Sequence, residues 1–261
     1  MKNYQIYHPK ILLFIGVFKM WISNTMLFLL LSNLFPTTCI SCGRVGKSLC
    51  KRCSNQLFKI NVQNCIVCNN LSNNGETHKI CKTPYTPDFS ISIFKHTKTA
   101  KNIINRAKGF PYSYRNIKII MNHPIAKKII EELPVTPDII VPMPQSKNPT
   151  TKRIKNIAFV TAKTIAKEKI PIILIIKKKN IPFLSQKGKN RRQRCLSAKK
   201  SITIDNQKAS QIKGKNILLI DDVTTTGASL LQATKLLKHH KAKTVTCLTV
   251  TKDILERKAY V

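Results

Sequence analysis

The stretch ILLIDDVTTTGAS at residues 217–229 restricts the fold more than any other part of the chain. Its four leading apolar residues read as a buried strand. Asp221 and Asp222 follow at the carboxyl end, where open α/β sheets place their ligands. Adjacent acids repel each other, so they need hydroxyl donors or a cation to compensate them. The neighbouring hydroxyls of a ribose meet that need. Thr224, Thr225 and Thr226 then supply three hydroxyls and a run of backbone amides. Gly227 removes the Cβ that would hold an anion away from the main chain. With Ala228 opening a helix, residues 224–228 form an anion nest at a helix N-terminus. Acids for a diol beside a nest for a phosphate describe a site for a phosphorylated ribose; the plain alternative is an ordinary strand–turn–helix with a polar elbow.

The surrounding sequence supplies the rest of a sheet. FSISIF (89–94) alternates as a strand does, and residues 97–108 read as a basic helix ended by Gly109. Residues 123–133 predict a helix with Pro124 in its first turn. DIIVPMP (138–144) predicts a short buried strand running into a proline-punctuated loop. Residues 154–168 place Ile154, Ile157, Ala158, Thr161 and Ile165 on one helical face. PIILII (171–176) is wholly apolar and predicts a central strand. A strand at 216–221, a helix over 228–240 and a strand at 244–250 complete a βαβ unit. The alternation gives the α/β class, with a parallel sheet covered by helices on both faces.

Nine cysteines are present, and seven of them fall between Cys39 and Cys81. Cys39-x2-Cys42 and Cys50-x2-Cys53 have the spacing of two knuckles closing on one tetrahedral ion, for which zinc is the natural metal. Cys65-x2-Cys68 and His78-x2-Cys81 repeat the pattern with an imidazole in place of one thiolate. Four protein ligands leave no open position, so both sites read as structural. This spacing is that of metal ligands rather than of a disulfide framework, which points to a reducing, cytoplasmic compartment. The segment around them is poor in long apolar periods and cannot build a core of its own. The expected division is therefore an apolar N-terminal extension (1–35), a cysteine-rich zinc module (36–84) and an α/β domain (85–261).

Apolar residues make up 43% of the chain, which excludes global disorder. The 46 Lys and Arg against 11 Asp and Glu give a formal net charge of +35, a surface that attracts phosphorylated ligands, nucleic acid or anionic membrane. A compositional drift toward Lys, Ile and Asn accounts for the same excess, so charge alone names no partner. Residues 177–201 concentrate it, with seven Lys and three Arg outside any clear period, and read as a mobile arm or a hood. Arg191, Arg192 and Arg194 are its candidates for nucleic-acid phosphates. Residues 11–35 are strongly apolar but broken by Lys19 and the Ser23-Asn24-Thr25 cluster. A helix packed on the body with translation starting at Met20 or Met26, a membrane contact, and a signal peptide all remain open for it.

Taken together, these residues resemble a known family. A hydrophobic run, two acids, a hydrophobe and Thr-Thr-Gly is similar to the signature of type I phosphoribosyltransferases. The resemblance implies that Asp221 and Asp222 hold the ribose hydroxyls of phosphoribosyl diphosphate (PRPP), and that Thr224, Thr225, Thr226, Gly227 and Ala228 hold its 5′-phosphate. VPMPQSK (141–147) resembles the family's diphosphate turn, with Gln145, Ser146 and Lys147 facing the diphosphate and Mg2+ riding on diphosphate and diol. Zinc knuckles ahead of such a domain resemble the layout of the ComF (competence protein F) family over roughly residues 33–251. Leu34-Phe35-Pro36, Arg106-Ala107-Lys108-Gly109, VPMP and Gln186-x4-Arg191 carry that likeness. The family's Arg-Gly-Phe-Asn run reads here Arg153-Ile154-Lys155-Asn156, which keeps the arginine and asparagine and loses the glycine and phenylalanine. The family implies a link to natural DNA uptake, with uptake proteins and single-stranded DNA as partners. Three functions follow: transfer of phosphoribose from PRPP to an unnamed acceptor, non-catalytic binding of single-stranded DNA, and PRPP sensing.

Overall fold

The computed structural model describes residues 36–107, 113–144, 152–165, 170–179 and 191–253. A short helix α1 (Lys51–Asn55) and a two-stranded antiparallel pair, β1 (Gln63–Asn64) and β2 (Leu71–Ser72), lie in the cysteine-rich segment. The main sheet begins at β3 (Phe89–Lys95). Helices α2 (Lys98–Arg106), α3 (Ser113–Met121) and α4 (Pro124–Glu131) follow, then β4 (Ile139–Pro142) and α5 (Arg153–Ile165). A second antiparallel pair, β5 (Ile176–Lys178) and β6 (Ile202–Ile204), flanks α6 (Arg191–Ser201). The chain closes with β7 (Asn216–Thr224), α7 (Ala228–His239) and β8 (Thr244–Lys252).

Strands β3, β8, β7 and β4 form one parallel sheet in that order. The two central strands are covered on both faces: Leu218, Leu219 and Ile220 of β7, and Val245 and Cys247 of β8, are completely buried. In β7 this burial reads as the continuous apolar run Ile217–Ile220, whereas β8 alternates apolar residues with buried threonines. Thr97 caps α2 by accepting from the amide of Ala100, and Pro124 starts α4 where its missing N–H costs nothing. Since all four strands run the same way, their carboxyl ends, at Lys95, Pro142, Thr224 and Lys252, share one edge.

Three sequence expectations are corrected. PIILII is not central. Pro171 and Ile173 only bracket Ile140 of β4 through main-chain bonds of 2.9 Å each, so the segment lies outside the β4 edge. Pro171 has no N–H to give a ladder, and Leu174 is left 39% exposed. Residues 177–201 are not a single unstructured arm either, since Lys177 and Lys178 belong to β5 and residues 191–201 form α6. Nor does β7 stop at Asp221; it continues through both acids to Thr224, pairing Asp221 with Thr249 and Thr224 with Lys252.

The zinc module packs on the edge left open by β3. Lys59 bridges to Phe94 and Glu76 to Phe89, both antiparallel. The amide side chain of Gln63 mimics a strand, accepting from the Ser92 N–H and donating to the Ser92 carbonyl, each at 3.0 Å. Gly75 has φ +76, and a Cβ there would collide with the Ser90 carbonyl, so the module seats this close only through glycine. Ile40, Leu57 and Ile66 join the apolar core of the sheet domain, which completes a core the module does not build alone. Among the described residues no helix is long and apolar enough to cross a membrane.

Candidate functional site

The two acids stand on the shared carboxyl edge, but not as a side-by-side pair. Successive residues of an extended strand point to opposite faces. Asp222 is 7% exposed and ion-pairs with Arg153, the first residue of α5. Asp221 lies on the other side, within electrostatic reach of both Arg153 and Lys178. It keeps a partly open surface, yet the protein around its carboxyl pushes its pKa up to about 7: burial outweighs the attraction of Arg153 and Lys178. Each carboxylate also accepts a main-chain amide, Asp221 from Asp222 at 2.9 Å and Asp222 from Val223 at 2.7 Å. These bonds hold the strand end rigid.

Past Thr224 the chain turns sharply. Gly227 adopts φ +72, the left-handed conformation that suits glycine, and α7 starts at Ala228. Among the described residues, no acceptor takes the N–H of Thr226, Gly227 or Ala228. Helix N-termini leave such donors free, and here they follow directly on the acids. Thr224 is 8% exposed, and its carbonyl accepts from the Asp253 amide at 2.9 Å. The loop has one neighbour that the sequence did not announce. A Cβ on Gly227 would lie 2.6 Å from Cγ1 of Ile66, a residue between Cys65 and Cys68. Beside it, Lys252 at the end of β8 donates to Oδ1 of Asn64 at 3.0 Å and of Asn69 at 3.3 Å. An apolar side chain from the zinc module thus stands directly against the turn at Gly227.

Both cysteine clusters assemble as their spacing predicts. The ligand atoms of Cys39, Cys42, Cys50 and Cys53 lie within 4.8 Å of one another, and so do those of Cys65, Cys68, His78 and Cys81. A tetrahedral zinc with Zn–S near 2.3 Å separates sulfurs by about 3.8 Å, and Cys42 and Cys50 stand 3.8 Å apart. Nδ1 of His78 is 3.4 Å from the Cys68 sulfur, while its Nε2 donates to the Leu71 carbonyl at 2.8 Å. That bond fixes the tautomer that turns Nδ1 to a metal. Burial works against ionisation of Cys39, but the amides of Cys50, Cys42 and Ser41 outweigh it and lower its pKa to about 6. Cys65 is likewise opposed by burial and brought down to about 7 by the amides of Cys68, His78 and Val67. Both donor sets fit zinc.

The remaining sequence candidates are not brought into this site by the described residues. Gln145, Ser146 and Lys147 lie outside the described residues, as do the side chains of Arg191, Arg192 and Arg194 on α6. Arg153, Ile66 and Lys252 belong to the site's surroundings and carried no assigned role in the sequence. For Arg153 the signal was present in its match to the arginine of Arg-Gly-Phe-Asn.

A parallel sheet whose strands end in acids ahead of a helix N-terminus defines an α/β domain of the class that meets its ligands at the carboxyl edge of the sheet. The comparisons narrow the class. A phosphoribosyl transferase domain model matches residues 114–259, more than half of the chain, and the protein belongs to that family. A double zinc ribbon domain model matches residues 30–83. Among solved structures, a hypoxanthine phosphoribosyltransferase from Staphylococcus aureus has 16% identity and a TM-score of 0.34, covering 57% of this chain and 69% of that one. An adenine phosphoribosyltransferase from Leishmania tarentolae has 14% identity and a TM-score of 0.34, covering 57% and 74%. Glutamine phosphoribosylpyrophosphate amidotransferase from B. subtilis has 14% identity and a TM-score of 0.33; the match covers 56% of this chain but spans only 27% of the amidotransferase. No curated protein sequence matches the chain.

Proposed function

We propose that this protein binds PRPP, or a closely related ribose phosphate, at the carboxyl edge of its sheet. The observation that carries the reading is the run of open amides at Thr226, Gly227 and Ala228 directly after Asp221 and Asp222. The amides and the Thr224–Thr226 hydroxyls hold the 5′-phosphate, and the carboxylates accept from the ribose hydroxyls. Gln145, Ser146 and Lys147 meet the diphosphate. The hard carboxylate oxygens suit Mg2+, which neutralises charge on the departing diphosphate when bound. Transfer then proceeds through an oxocarbenium-like anomeric carbon, with catalysis arising from positioning and electrostatics. The acceptor is unassigned. A zinc ribbon ahead of the transferase domain supports a ComF-like protein acting in the cytoplasm in DNA uptake.

A shift in thermal stability with PRPP and Mg2+ tests the reading. The wild type should be stabilised, and Asp221→Ala with Asp222→Ala should abolish the shift. A wild type indifferent to PRPP refutes it.

A second reading, non-catalytic binding of single-stranded DNA, draws on a groove of ≈ 930 Å³ beside the first zinc site. Arg44, Arg52 and Lys98 line it, and Phe58 stands 51% exposed within it, a base-stacking face among cations. DNA affinity that falls with salt and survives the Asp221 and Asp222 substitutions favours this second role.

A further inference from the structure

A chain this basic cannot meet a copy of itself through most of its surface. With 46 Lys and Arg against 11 Asp and Glu, two copies repel wherever lysines oppose lysines. One face lacks that obstacle. From Ile60 to Gly75 the sequence INVQNCIVCNNLSNNG has no Asp, Glu, Lys or Arg, in a chain of which 22% is charged. The run is bounded by Lys59 and Glu76, one charge of each sign.

The fold turns part of this run outward. A groove of about 350 Å³ passes over the β1–β2 pair, and Asn61, Val62, Gln63, Leu71, Ser72 and Asn73 are among its lining residues. Val62 is 54% exposed and Leu71 70%. Ile80, at 95%, extends the apolar surface. It follows two residues after His78, whose ring donates to the Leu71 carbonyl at 2.8 Å, so it belongs to the same knuckle. The donor set of Cys65, Cys68, His78 and Cys81 ties the ends of this surface together.

Apolar surface elsewhere on the protein is equipped differently. Phe159 has Nζ of Lys163 4.5 Å from its ring, and Tyr85 has that of Lys235 at 5.9 Å. The groove beside Phe58 is lined by Arg44, Arg52 and Lys98. Those surfaces suit anionic partners. An anionic partner on the Ile60–Gly75 face forgoes the attraction that they offer. A strongly cationic partner gains there, because apolar burial is not opposed by facing lysines. This chain is itself such a partner.

We propose that the Val62–Leu71–Ile80 face of the second zinc knuckle is a homodimer interface, on which a second copy docks about a two-fold axis. Leu71 of each copy seats in the groove of the other. The charge-free run keeps like charges from facing each other across the axis.

Sedimentation equilibrium of the zinc-loaded full chain reads the association. Screening removes the repulsion between the two cationic bodies. The dimer should therefore tighten by about tenfold or more between about 0.1 and about 1 M NaCl, as the Debye length falls from about 10 to about 3 Å. Nucleic-acid binding has the opposite salt dependence. Leu71→Lys places charges of the same sign on both sides of the axis. It should weaken the dimer by about 10- to 100-fold at the lower salt, more than Leu71→Asn does, and the gap between the two should close at the higher salt. Ile80→Lys should act in the same direction. Both side chains are so exposed that neither substitution should move Tm by more than about 2 °C. A protein that is monomeric at every salt concentration overturns the proposal. So does a dimer that loosens with salt, or one that both lysine variants leave intact, since the contact then lies on another face. A fall in Tm without a change in association means that the face is covered from within the chain, which also overturns it.

Discussion

Replacing Gly227 with alanine tests whether the phosphate nest and the zinc module are one packed unit. Two costs can be worked from the geometry. At φ +72 an L-residue occupies the left-handed region, at about 1–2 kcal/mol. The new Cβ also lands 2.6 Å from Cγ1 and 3.0 Å from Cδ1 of Ile66. Ile66 is only 8% exposed and packs into the core, so it has no open direction to swing. Overpacking of this kind costs about 1–3 kcal/mol. The sum is about 2–5 kcal/mol, on the order of 5–15 °C in Tm for a chain of this size. Urea unfolding of zinc-loaded protein measures it. The same substitution in an Ile66→Ala background should lose the contact part and keep the backbone part, giving a coupling energy of about 1–3 kcal/mol. A Gly227→Ala cost below about 0.5 kcal/mol, or one unaffected by Ile66→Ala, refutes the packing argument.

The raised pKa of Asp221, about 7, implies a pH signature. The folded state holds its proton where the unfolded chain has released it, so this group's contribution is greatest near pH 4 and is lost as pH rises to 7. Relative to Asp221→Asn, the wild type should lose about 2–4 kcal/mol across that window, with zinc effects cancelling in the comparison; parallel pH profiles would contradict the burial argument. The metal sites should also separate by consequence. Cys42→Ser and Cys68→Ser should each lower bound zinc, by atomic absorption, from about two ions per chain toward one. Only Cys68→Ser should also weaken PRPP, because Ile66 of that knuckle stands against the turn at Gly227; equal loss of affinity in both would show that the module acts only through global stability.

The sequence made the elements of the site readable because each rests on local chemistry. The apolar run Ile217–Ile220 marks a strand buried on both faces, a helix start after Gly227 follows from residue type, and cysteine pairs with two residues between them meet at one ion. What escaped was three-dimensional. PIILII looked central because apolar content does not distinguish an interior strand from a segment lying outside the β4 edge, and Pro171 was the sign that it could not form a full ladder. Residues 191–201 looked aperiodic because a helix so basic shows no apolar stripe to reveal it. The placing of Ile66 against Gly227, 161 positions along the chain, has no local signature. Nor does the divergence of Asp221 and Asp222 to opposite faces: adjacency in sequence suggested a pair, and only the extension of β7 through both acids separates them.

The scarcity of acids gives Asp221 its meaning. With 11 acidic residues against 46 basic ones, a carboxylate in this protein generally has a bond to make. Asp88 accepts from Lys238 at 2.8 Å and from the Val245 amide at 2.9 Å, tying α7 and β8 to the start of β3. Asp138 accepts the Asn216 amide at 2.7 Å and sets the register of β4 against β7. Asp205 pairs with Lys177 at 2.8 Å across the β5–β6 pair. Asp221 differs. Among the described residues its carboxylate has no cation within ion-pair distance, and its accepted hydrogen bond comes from the adjoining Asp222 amide. Burial makes its charge unfavourable, so it subtracts from stability near neutral pH. Among the described residues that penalty is left without a compensating cation, at the end of a strand beside three open amides, as the proposed ligand role requires. Asparagine would keep the amide bond and remove the penalty. If Asp221→Asn is more stable than the wild type at pH 7 yet loses affinity for PRPP, the carboxylate serves the ligand and not the architecture; a variant that is less stable at that pH reverses the argument.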